Sequence, residues 1–137
     1  MYFEYFKDTF RPFFERTWEN LSSCVCRSIE LLTELYGLRT TVTRASELDG
    51  APETLPAVVR TTDADTVVMP QGVAESGQKE SCVTHRFTYD HPTYRQNFEG
   101  FERGMTAADL LFNYGREAQR ILADGSKVFR SGDSSTP

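Results

Sequence analysis

Apolar positions near the start of the chain recur every three or four residues. Phe3, Phe6 and Phe10 open the series, and Phe14, Trp18, Leu21, Val25, Leu32 and Leu35 continue it. That spacing places side chains on one stripe of an α-helix. Ser28 interrupts the stripe and Ile29 shifts it by one position. Pro12 suits a first helical turn, where a missing N–H costs nothing, and it disfavours helix at Arg11 before it. The pattern predicts a short helix or turn, a break near Arg11, and a long helix over about residues 12–36 closed by Gly37.

Beyond Thr40 the chemistry turns to Thr and Val. Residues 40–43 read as strand-like. Two β-branched runs, residues 57–61 and 66–69, lie between Pro56 and Pro70 and are joined by residues 62–65; they predict a β-hairpin. Val83, His85, Phe87 and Tyr89 alternate with Thr84, Arg86 and Thr88, a period-two strand ended by Asp90, His91 and Pro92. Tyr94, Phe98 and Phe101 return to helical spacing, in a helix that Gly100 and Gly104 keep short. Thr106 and Asp109 stand at capping-box spacing. Leu110, Leu111, Tyr114, Ala118, Ile121 and Leu122 then form an apolar stripe up to Gly125, which predicts a helix over residues 107–123.

The order helix, strands, helix predicts an α+β fold, a small antiparallel sheet packed with N-terminal and C-terminal amphipathic helices. The alternative is a mainly α helical hairpin with a long middle loop. Residues 1–130 read as a single compact domain with mobile loops near 46–56 and 70–81, and residues 131–137 as a disordered tail. At 137 residues the chain is long enough to bury a core without disulfide or metal staples.

Charge narrows the function classes. The net charge is -5, and between Thr41 and Ser81 only 3 basic residues stand against 7 acidic ones. Such a balance opposes duplex nucleic-acid binding, which needs clustered Lys and Arg. The 3 cysteines are an odd number and make no disulfide framework, which points to a reducing, cytoplasmic setting or a virion. No apolar run approaches the length of a membrane span.

Candidate chemistry is sparse. The sequence carries neither a G-x-G-x-x-G nor a P-loop pattern. Cys24, Cys26, Cys82, His85 and His91 are the residue types of a zinc site, but Cys24 and Cys26 diverge on a helix, and Cys82 and His85 fall on opposite faces of a regular strand. Cys82 with His85 or His91, oriented by Asp90, would make a thiol nucleophile and its base, in a pocket of a small enzyme or ligand-binding domain. Asp63 and Asp65 read as turn residues. Arg95, Arg103, Arg116 and Arg120 interleave with Glu99, Glu102, Asp109 and Glu117 as a solvated face. No residue is assigned to catalysis, a metal or a cofactor.

The aromatic distribution is the one feature beyond an ordinary soluble domain. Tyr2, Phe3, Tyr5, Phe6, Phe10, Phe13, Phe14 and Trp18 crowd the N-terminus; after Tyr36 none follows until Phe87. The two ends should supply the core, and one helical stripe cannot shelter all the N-terminal rings. The expectation is a non-enzymatic interaction or assembly protein, of the kind small viral or phage accessory proteins provide. It would self-associate or dock a protein partner through Phe6, Phe10, Phe14, Trp18, Leu21 and Val25.

Overall fold

A computed structural model describes residues 2–73 and 82–130. The fold is α+β, with helices and a small three-stranded sheet. The described residues fall into two compact units, residues 2–41 with 91–125 and residues 42–73 and 82–90 with 126–130. The first is helical and the second holds the sheet.

In the helical unit the break expected near Arg11 is present, and the long helix expected over residues 12–36 is itself broken once. Helix α1 spans Phe3–Phe10, α2 is the single turn Pro12–Glu15, and α3 spans Leu21–Leu35. Asn20 explains the second break. Its backbone is extended, and its side chain accepts hydrogen bonds from the Ser23 N–H at 2.8 Å and the Ser23 hydroxyl at 2.9 Å. That cap starts a new helix where apolar spacing alone would carry the old one through. At the other end Gly37 sits at φ 64°, Leu38 N–H donates to Thr33 at 3.0 Å and Gly37 N–H to Glu34 at 2.9 Å, a Schellman closure.

The C-terminal helix is broken as well. Helix α5 spans Ala107–Tyr114, a 3-10 turn covers Gly115–Glu117, and α6 spans Ala118–Asp124. Gly115 lies in the left-handed region at φ 56°, and a Cβ there would stand 2.8 Å from the Tyr2 ring. The Tyr2 N–H also donates to the Phe112 carbonyl at 2.7 Å. The N-terminus therefore closes over the break in the C-terminal helix, and only glycine leaves room for it.

Phe6, Tyr36, Leu110, Leu111 and Ala118 form the buried core of this unit. Phe112 is the ring against which α1 packs, with Phe3 at 5.6 Å, Phe10 at 5.1 Å and Phe6 at 6.4 Å between centroids. The core thus draws on both ends of the sequence. The Tyr36 hydroxyl donates to the Ala107 carbonyl at 2.7 Å, which ties the end of α3 to the start of α5.

In the second unit the first half of the expected hairpin is a helix. Residues 57–61 lie in α4, Leu55–Thr62, and not in a strand. Thr54 caps it by accepting from the Ala57 N–H at 3.4 Å, Pro56 occupies its first turn, and Asp63 ends it at φ 50°. Start and stop chemistry overrides the β-preference of Val58 and Val59. Residues 40–43 form no strand, and the segment around Tyr94, Phe98 and Phe101 forms no helix.

Strand β1 spans Thr66–Pro70, β2 Val83–Tyr89 and β3 Ser126–Arg130. The order is β1-β2-β3. The sheet is mixed where an antiparallel one was expected: β1 runs parallel to β2, with Val68 opposite His85, and β3 runs antiparallel, with Val128 opposite Phe87. Parallel neighbours need a crossover and not a tight turn, so a hairpin could not have supplied this pair. The crossover is where the loop of residues 70–81 was expected. Residues 74–81 of it, like the tail 131–137, lie outside the described residues.

Candidate functional site

The expected interface residues separate into two groups. Phe6, 6 % exposed, belongs to the core, and Phe10 packs against that core. Trp18 is half-buried; its ring stacks on Phe13 at 5.5 Å, its indole N–H donates to the Phe13 carbonyl at 3.2 Å, and the Arg16 guanidinium lies 4.8 Å from its ring centroid. Phe14, Leu21 and Val25 face outward, 86 %, 78 % and 44 % exposed, with Ile29 at 46 % one turn on. Leu21, Val25 and Ile29 lie at i, i+4 and i+8 on the N-terminal half of α3. Leu32 and Leu35, further along the same helix, pack on the core. The stripe thus runs beyond the core that covers its C-terminal end. Ile29, where the apolar stripe shifts by one position, extends the exposed face through its i+4 spacing from Val25.

Cys82, His85 and Asp90 belong to the sheet-bearing unit, and His91 to the helical one. His85 stands on β2 opposite Val68 and Arg130. Cys24, Cys26 and Cys82 are half-buried and form no disulfide. Among the described residues no group of three or more His, Cys, Asp or Glu side chains converges as a metal site.

A second site was not foreseen. An open cleft of about 680 Å³ is lined by the segment from Arg95 to Glu99 and by Asn113 and Tyr114. Its floor is a polar network centred on the buried Gln96. Gln96, 4 % exposed, is pinned to the backbone of Glu102 at both of that residue's peptide groups. Its Nε2 donates to the Glu102 carbonyl at 2.9 Å, and its Oε1 accepts from the Glu102 N–H at 2.7 Å. This loop closure takes the place of the short helix expected here, with Gly100 and Gly104 at φ 93° and 80°. Asp109 holds the network from α5. It accepts from the Tyr94 hydroxyl at 2.8 Å, the Gln96 amide at 3.3 Å and the Asn113 amide at 3.2 Å. Thr106 makes no side-chain cap, so the expected capping box is not formed; its acidic member is committed to the network instead. A half-buried carboxylate with several donors is well satisfied and fixes its surroundings. Gln96 and Asn113 carried no motif; only their place between Tyr94 and Glu102, and on α5, gives them this role.

A smaller cavity of about 330 Å³ lies beside Tyr2, Tyr5, Phe6 and the Gly115–Glu117 turn. In the described residues no helix is long and apolar enough to cross a membrane.

The sequence profile of the WbqC-like protein family matches residues 1–121, most of the chain. No curated protein and no solved structure matches.

Proposed function

We propose that this chain, which belongs to the WbqC-like protein family, is a self-associating interaction protein that docks a second copy of itself through the N-terminal half of α3. Leu21 carries the reading: a leucine 78 % exposed stands on a helix whose Leu32 and Leu35 pack against the core. Val25 and Ile29 extend it into a stripe, and exposed apolar area of this kind on an ordered element marks a contact surface. Phe14 adds a ring left uncovered by its own subunit.

A second copy of the same helix suits the stripe as its occupant, apolar face against apolar face about a two-fold axis. Arg27 and Glu30 pair with each other at 3.2 Å on the side of α3 away from the stripe, so neither charge competes with it. The reading is non-enzymatic. Cys24, Cys26 and Cys82 form no disulfide, which suits a reducing compartment.

Sedimentation velocity over a concentration series tests it. The parent chain should show a monomer–dimer equilibrium that Leu21→Glu and Val25→Glu each weaken at least about tenfold, with unchanged far-UV circular dichroism because both side chains are exposed. A parent that stays monomeric, or a dimer indifferent to both substitutions, overturns the proposal.

A further inference from the structure

The cleft over the Gln96–Asp109 network has a composition that selects a ligand. Its floor is rigid, for the reasons above, while its rim keeps hydrogen-bonding capacity in reserve. Among the described residues the Arg95 guanidinium, the Asn97 amide and the Glu99 carboxylate make no hydrogen bond or ion pair, and Arg95 and Glu99 do not pair with each other. The Tyr114 hydroxyl accepts from the Arg95 backbone N–H at 2.9 Å, which fixes the ring and leaves its own proton to donate. Asn113 donates through Nδ2 to the Asp109 carbonyl at 2.8 Å, which leaves its Oδ1 as an acceptor. Phe98, 48 % exposed, adds an apolar surface.

We infer that this cleft is a binding site for a short zwitterionic peptide, whose carboxylate is taken by Arg95 with the Tyr114 hydroxyl and whose ammonium is taken by Glu99 with Asn113 Oδ1. The charge pattern makes the choice. A purely anionic ligand meets Glu99 and a purely cationic one meets Arg95, whereas a ligand carrying both signs satisfies both groups. The guanidinium fork suits a carboxylate through two parallel hydrogen bonds. A volume of about 680 Å³ exceeds what a free amino acid fills and takes a peptide of a few residues, with Phe98 as the contact for an apolar side chain. The inference is independent of self-association, because none of these residues is on α3.

Isothermal titration of the full chain with alanyl-phenylalanine, and with its N-acetylated and C-amidated forms, tests it. The free dipeptide should bind, and each blocked form should bind roughly tenfold more weakly, the loss of one charge-assisted contact. Arg95→Met should abolish the preference for the free carboxylate and leave that for the free amine; Glu99→Gln should do the reverse. Both side chains are exposed, so these variants keep the fold, which circular dichroism checks. No binding of the free dipeptide, equal binding of free and doubly blocked forms, or a preference for an uncharged polyol such as sorbitol overturns the inference.

Discussion

At Gly115 two requirements coincide. The residue is left-handed, and the Tyr2 ring occupies the place of a Cβ at 2.8 Å. Gly115→Ala therefore both strains the backbone and displaces Tyr2, whose N–H bond to Phe112 anchors the N-terminus. We expect a loss of roughly 1–3 kcal/mol in chemical denaturation, with Gly50→Ala, where a Cβ meets open space but φ is also positive, showing the backbone part alone. A smaller loss at Gly115 than at Gly50 would rule out the packing argument. Tyr89 makes a prediction of a different sort. Burial holds its phenol above the ordinary 10.0 because desolvation disfavours the phenolate. The neutral form is the one the fold favours, so this contribution to stability is complete below pH 10 and disappears as pH rises through the raised folded value. In an alkaline absorbance titration Tyr89→Phe should remove a late-titrating tyrosine step.

Among the elements, α3 depends on a cap that apolar spacing does not reveal. Replacing Asn20 by Ala removes the acceptor for the Ser23 N–H and should cost about 1 kcal/mol, read as a lower unfolding midpoint. Asn20→Asp, which keeps the acceptor, should lose much less. A null effect of the alanine would mean that α3 is started by packing rather than by its cap. This cap also shows how far the sequence was legible. Period and closure were readable: the α3 stripe, Gly37, the β2 alternation and the crowding of core rings at both ends all follow from local spacing. Boundaries set by side-chain-to-backbone bonds were not, because Asn20 and Thr54 compete with an apolar pattern that runs on past them. Val58 and Val59 point to strand on propensity alone, yet the Thr54 cap and Pro56 start a helix. Strand β3 carried too short a pattern to register, and it forms because β2 offers a free edge to pair with. The polar cleft was illegible for a further reason. Its parts, Tyr94, Gln96, Glu102 and Asp109, become a network only after the chain has folded back at Gly100 and Gly104.

For the molecule as a whole, the two units differ in how they are held together. The helical unit buries Phe6, Tyr36, Leu110, Leu111 and Ala118 as one cluster, with a ring of half-buried aromatics against it. In the sheet-bearing unit Val59 is the one buried hydrophobic among the described residues, and its strands hold together through their ladder and half-buried side chains. Apolar burial supplies most of the free energy that resists opening, whereas an exposed ladder opens easily. Native-state hydrogen exchange should therefore show the amides of α5 and the second half of α3 exchanging only through global unfolding. Those of β1 and β3 should exchange through a smaller opening that depends less on denaturant. The helical unit carries both proposed surfaces, the α3 stripe and the polar cleft, and sites that must hold fixed geometry belong on the more rigid part. If the strand amides prove as slow as those of α5, the units open together. The second unit would then be stabilised by more than its own described residues provide.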